Sequence, residues 1–234
     1  GLSAAVELTA KGIATSLYEA AGHAGGRTRS LFEPSLDRTI DNGNHLMLSG
    51  NWALMAFLEK TGGLERFDTV MPAAFPFLDL ADGTSWQVRP DRGLIPWSLI
   101  FGSGWVPDAH LSEYLRGVRL AWAGETATIA ECLGGNGVLW QRFWQPLALA
   151  VVNTELDQAS AGLLWPVLKE TFGRGEKACR PMIPKLGLSD AFIDPALAYL
   201  RQGGASIAFN QRLRRLSLEN GRVSGLEFAD HRTE

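Results

Sequence analysis

The chain has 234 residues, 46% hydrophobic and 20% charged, enough to bury a core in one large domain or two small ones. Its formal charge of −3 excludes a broad basic surface, so nucleic acid is not an expected partner. Two cysteines, Cys132 and Cys179, stand in no metal-ligand spacing and read as thiols of a reducing cytosol; no metal site is expected. No run reaches the ~18 apolar residues of a membrane span, and the opening residues lack the basic and apolar regions of a secretory signal. The expected location is therefore cytoplasmic. The eight tryptophans concentrate mid-chain, where they read either as core filler or as the wall of an apolar pocket.

Leu2, Ala5, Val6 and Leu8 predict a helix over 2–11, closed at Gly12. Residues 13–19 predict a short strand of the kind buried in a parallel sheet, and 20–27 a glycine-rich loop. Asn51 is placed to cap a helix through Thr61, with Trp52, Met55, Phe57 and Leu58 mostly inward and Gly62-Gly63 as its stop. "FPFLDLADGTSWQVRP" predicts a hairpin turning on Asp82-Gly83. "RGLIPWSLIFGSGWVP" is apolar and broken by Gly and Pro. Residues 108–175 read as mostly helical, with helices over 111–123 and 159–172 and an aromatic cluster of Trp140, Phe143 and Trp144. A helix over 190–202 ends at Gly203-Gly204, the strand "ASIAFN" follows, and a last hairpin turns on Asn220-Gly221. Both ends are thus of α/β nucleotide-binding type, around a different, helical and aromatic centre. A substrate domain (71–179) inserted into a cofactor domain (1–70 and 180–234) produces this order.

In a dinucleotide-binding unit a glycine loop opens a helix, and the next strand ends in an acid that holds a ribose hydroxyl. Glu19 lies 18 positions after Gly1 (19 minus 1), close to the expected spacing of ~20. Gly1 is then the last glycine of such a loop. "GGRTRS" follows the acid: Gly25 and Gly26 permit a close backbone path, and Arg27 offers a cationic fork to a diphosphate. In "DNGNHLML", Asn42, Gly43, Asn44 and His45 form a small and polar run where a flat ring could lie against Gly43. Glu19 alone does not distinguish NAD from FAD.

The ordered set of Gly1 with its helix, "LYEA", "AGGRTRS" and "DNGNHLML" resembles the flavin-dependent amine oxidase and carotenoid desaturase superfamily. "FWQPLALAVVNTELDQAS" and "DAFIDPALAYLRQGGASIAFNQRLRRL" look more closely like the squalene-associated FAD-dependent enzymes of bacterial hopanoid synthesis, the hydroxysqualene dehydroxylases. The likeness runs over nearly the whole chain. It implies an α/β fold: a partial Rossmann-like, glutathione-reductase-type FAD domain with an inserted α+β substrate domain. It implies that Glu19, with Ala20 beside it, holds the adenosine ribose, and that Gly25, Gly26 and Arg27 surround the pyrophosphate. Gly43, Asn44 and His45 would approach the isoalloxazine, and Leu213 the adenine. Members of the family are longer at both ends, so the chain is expected to be a fragment.

The reaction implied by the resemblance is reductive removal of the hydroxyl of hydroxysqualene, giving squalene. The departing hydroxyl is allylic, so the protein must supply a dry slot, orientation and a proton. Asp41 and His45 are the candidate proton donors. Trp97, Phe101, Trp105, Trp140, Phe143 and Trp144 are candidates for the slot, with packed core as the other reading of each; Asn153 and Thr154 could also face it. "LIPWSLIFGSGW" is too short to span a bilayer but suits a peripheral contact with the inner face of the cytoplasmic membrane, where the isoprenoid substrate resides. The rival readings are a carotenoid desaturase or amine oxidase of the same superfamily, and a non-catalytic remnant unable to hold FAD.

Overall fold

The computed structural model describes residues 1–43, 46–92 and 106–229. The chain forms two compact units: Gly1–Leu46, Ala53–Asp68 and Ile183–Glu234 in the first, Met47–Trp52 and Thr69–Met182 in the second.

In the first unit, helix α1 (Leu2–Ala10) is built from alanine and long apolar residues, all good helix formers. It buries Ala5 and Val6 against Ala196 and Leu200 of a later helix. Its apolar stripe is narrower than its sequence predicts: Leu8 is 40% exposed. Strand β1 (Ser16–Tyr18) is likewise shorter than predicted and leaves Ile13 exposed. It pairs in parallel with β9 (Ser206–Ala208), Leu17 opposite Ile207.

Strands β2 (Ser30–Glu33) and β3 (Arg38–Asp41) form an antiparallel hairpin absent from the sequence expectations. The Glu33 carboxylate makes its turn, accepting from the Ser35 N–H (3.0 Å) and hydroxyl (2.6 Å). Helix α2 (Trp52–Thr61) buries Leu58 and Thr61. Asn51, the expected cap, instead turns its amide oxygen back to the Leu48 N–H (2.9 Å). Trp52, expected inward, is exposed, its indole N–H bonded to Glu170 (3.0 Å).

A π-helical turn, Ser189–Ile193, runs into the later helix, Asp194–Gln202, and Pro195, which has no N–H to give the preceding turn, lies just past the junction. The final hairpin pairs β10 (Leu213–Glu219) with β11 (Arg222–Phe228) across Asn220-Gly221. Phe228 is buried, its ring 4.8 Å from that of Tyr18.

The second unit holds the larger core. β4 (Met47–Leu48) pairs with β8 (Pro181–Pro184), Met47 opposite Met182. β6 (Phe75–Leu78) and β7 (Ser85–Val88) form the expected hairpin, with Phe77 stacked on Trp86 at 5.5 Å. Arg142 pins the hairpin loop through Asp79 (3.1 Å) and Asp82 (2.7 Å). Short helices follow: Leu111–Leu115 running into a 3₁₀ segment Arg116–Trp122, Ile129–Leu133 opened by a Thr128/Glu131 capping box, Gln145–Val152, and Ala161–Glu170. They bury Leu120, Ile129 and Leu164 together with Leu139 and Phe143 of the segment before Gln145 and with Val88 of the hairpin. Among the described residues no helix is long and apolar enough to cross a membrane.

Candidate functional site

In parallel α/β structure, ligands bind beyond the carboxyl ends of the strands, where loops diverge and helix N-termini point. In the first unit that edge is formed by β1 and β9. Glu19 stands directly after β1, and its backbone N–H donates to Ala208 of β9 (2.9 Å). Its side-chain Oε1 accepts from the Ala21 N–H (2.9 Å), which fixes the carboxylate at the strand end. Returning across β9, Asn210 and Gln211 donate their N–H groups to the carbonyls of Ala21 (3.1 Å) and Glu19 (2.9 Å). Glu19 and Ala20 are thus clamped by the segment after β9, a partnership the sequence reading missed. The "FNQ" that follows "SIA" was its only trace, an asparagine suited to the positive φ of 59° at Asn210.

Gly1 precedes α1, and a side chain there would touch Leu17 of β1 (3.7 Å), so the helix begins over the strand. Among the described residues no side chain caps this helix, and its first turn holds no acid. The positive dipole end of a helix suits an anion. In the following loop Gly25 has φ +99°, and a Cβ there would lie 2.5 Å from the Thr28 carbonyl oxygen. Only glycine allows this turn, in which Thr28 N–H bonds back to Gly25 (2.9 Å). Gly26 and Arg27 beside it are exposed.

The β2–β3 hairpin leads out to Asn42 and Gly43. The Asn42 side chain donates to the Arg27 carbonyl (3.1 Å) and its N–H to the Arg29 carbonyl (2.8 Å), so the Arg27 loop and the Gly43 turn form one wall. Asp41, a candidate proton donor, is an acceptor by geometry: its Oδ1 receives the Ser30 hydroxyl (2.6 Å) and the Leu188 N–H (2.8 Å). Asn44 and His45 lie outside the described residues, as do Trp97, Phe101 and Trp105. Leu213 is exposed at the start of β10.

In the second unit Phe143 and Trp144 are buried in the core, and Trp140 is half-buried on its margin. All three sit in a π-helical segment, Trp140–Trp144, a wide turn often found at functional positions. Asn153 has a backbone explanation: it closes helix Gln145–Val152 in the left-handed conformation, φ 50°. Thr154 bonds back to the Val152 carbonyl (3.2 Å). Both cysteines are buried and unpaired. Burial pushes the Cys179 thiol up to about 12 and raises Cys132 as well. Among the described residues no group of His, Cys, Asp or Glu could hold a metal ion.

A sequence profile described as "Flavin containing amine oxidoreductase" matches residues 1–234. The chain belongs to that family. Within this amine oxidoreductase family the chain is 38% identical to a hydroxysqualene dehydroxylase of Zymomonas mobilis, over 229 residues covering 98% of the chain and 55% of that protein. It is 37% identical to one of Sinorhizobium fredii, with the same coverage. The chain thus spans about half the length of the curated relatives it matches. Its fold matches an oxidoreductase of Methanosarcina mazei at a TM-score of 0.68 and 14% identity, covering the whole chain and 54% of that structure. The α/β expectation for the fold is therefore met, in an amine oxidoreductase frame. The strand-end edge carries a fixed carboxylate, a helix that starts over the strand and a glycine turn that a side chain would close, groups of the kind that hold hydroxyls and phosphates.

Proposed function

We propose that the chain is part of an FAD-dependent oxidoreductase that removes the hydroxyl of hydroxysqualene to give squalene. The observation that carries this is the 37–38% identity to hydroxysqualene dehydroxylases over 97–98% of the chain. In this reading the first unit is the FAD domain and the second the substrate domain. Glu19, with Ala20, holds the adenosine ribose, and Leu213 lies at the adenine. Gly1 at the helix start, with Gly25, Gly26 and Arg27, meets the pyrophosphate. Gly43, Asn44 and His45 border the flavin ring.

The flavin, when bound, supplies the two electrons of the reduction. The chain's own work is to bind, to exclude water and to manage one proton. His45 is the proposed proton donor to the departing oxygen, since Asp41 is engaged as an acceptor. The mid-chain aromatics Trp97, Phe101, Trp105, Trp140, Phe143 and Trp144 are the proposed residues of the hydrocarbon slot, where burial favours an isoprenoid chain at about 0.8 kcal/mol per CH₂.

A C30 isoprenoid partitions into lipid, and the reading extends to a peripheral contact with the inner face of the cytoplasmic membrane. Support comes from apolar residues exposed on Leu111–Trp122: Leu111, Leu115, Val118 and Trp122, the last 79% exposed. Arg119 is exposed beside them.

The test is incubation of the full-length protein carrying this chain with hydroxysqualene and a chemical reductant, followed by detection of squalene. Phytoene and a polyamine serve as the substrates of the rival flavoenzyme classes. Consumption of either, with hydroxysqualene left intact, refutes the assignment. A colourless preparation that takes up no FAD refutes the cofactor.

A further inference from the structure

We propose that Asp41 is a positioning residue, the fastener of a clasp that sets the wall from Arg27 to Gly43. The clasp is a closed set of bonds between the ends of the β2–β3 hairpin and the turn before the π-helical segment. Ser30 and Asp41 face each other as the terminal pair of the hairpin. The Ser30 hydroxyl donates to Asp41 Oδ1 (2.6 Å), and the same oxygen takes the Leu188 N–H (2.8 Å). Ser30 and Ser189 then exchange bonds, each N–H donating to the other's Oγ (2.8 and 3.0 Å). Gly187 makes the approach possible. Its φ is +122°, and a Cβ there would lie 2.7 Å from Ser30 Oγ and 2.9 Å from Asp41 Oδ1.

What the clasp holds follows directly along the chain. Asn42 ties the Arg27 and Arg29 carbonyls, and the Gly43 N–H bonds back to the Asp41 carbonyl (2.8 Å), bending the chain at once. The conformation of the chain from Asp41 to Gly43 is therefore set by the clasp. A wall of exposed loop residues has little burial of its own, and a few bonded groups at its base decide its order. This inference rests on the proposed flavin reading for its functional consequence, since that reading sets the Arg27–Gly43 wall against the cofactor. The clasp itself does not depend on it.

The experiment has two arms, each with Asp41→Asn, Asp41→Ala and the milder Ser30→Ala. The first uses the flavin-loaded full-length protein and reads the visible flavin spectrum, the FAD dissociation constant and turnover. Asp41→Asn keeps an oxygen for Ser30 and Leu188, so the spectrum and turnover stay within a few-fold of the parent. Asp41→Ala and Ser30→Ala shift the spectrum and weaken FAD binding by about tenfold or more. A proton donor would behave differently: Asn as inactive as Ala, with normal spectrum and FAD affinity in both, and this result overturns the proposal.

The second arm measures amide exchange in the full-length protein without flavin. Asp41→Ala or Ser30→Ala speeds exchange at Leu188, Ser189, Asn42 and Gly43 by about tenfold or more, while the amides of helix α1 stay unchanged. Unchanged exchange at those four amides overturns the clasp. Fast exchange in the variants with no flavin binding by the parent upholds the clasp and removes the flavin reading instead.

Discussion

Glu176 offers the sharpest stability test. It is 7% exposed, and its carboxylate meets Arg180 through two parallel bonds, Nε to Oε1 and Nη2 to Oε2, both 2.9 Å. Oε1 also accepts from the Ala73 N–H at 2.9 Å, so one side chain joins residues 73 and 180. In Glu176→Gln the single amide oxygen cannot serve all three donors, and the new N–H₂ group opposes one of them. Breaking a fully buried pair costs about 3–5 kcal/mol, but Arg180 keeps 28% of its side chain in water, which lowers the expected loss to about 2–3 kcal/mol. With a urea slope of roughly 2–3 kcal/mol per M for a chain of this size, the unfolding midpoint falls by about 1 M. The pH dependence has a fixed sign. The Arg180 bonds hold the Glu176 carboxyl below its ordinary 4.5, so the pair's contribution is fully present above that value and fades as pH falls through the lower folded one. Parent and variant therefore differ most at neutral pH and converge in acid. A midpoint change under about 0.2 M, or a difference that grows as pH falls below 4.5, refutes the reasoning.

Three further outcomes follow from other parts of the molecule. Cys179, with its thiol raised to about 12, and buried Cys132 should resist a thiol reagent at pH 8 in the folded chain and react in urea; stoichiometric labelling of Cys179 without denaturant contradicts its burial. Gly25→Ala forces a side chain into a positive-φ position and against the Thr28 carbonyl, which should weaken FAD uptake by the full-length protein about tenfold or more with little change in circular dichroism; unaltered uptake removes Gly25 from the cofactor site. Leu115→Ser with Trp122→Ser should abolish flotation with anionic phospholipid vesicles, and flotation equal to the parent's removes these exposed residues from the membrane contact.

The features legible in the sequence are those whose cause lies within a few residues. Asp82-Gly83 and Asn220-Gly221 announce their hairpins because the turn chemistry is local, and the step from Gly1 to Glu19 is legible because a helix and a strand of ordinary length fix it. The β2–β3 hairpin went unread because its turn is made by a glutamate side chain and by Asp37 at φ 49°, with no Asn-Gly pair to mark it. Leu8 and Trp52 were expected inside because periodicity states which face is apolar and not whether a partner covers it. Asp41 shows the deeper reason. In sequence it borders a glycine and asparagine run and looks like chemistry. In the fold, a hydroxyl 11 positions back and an amide 147 positions on converge on one of its oxygens. The same residue type in the same run carries either meaning, and what separates them is the identity of donors that only the closed chain delivers. Glu19 differs in its partners: the segment after β9 bonds to its backbone, and its carboxylate accepts from the local Ala21 N–H at the open end of the strands.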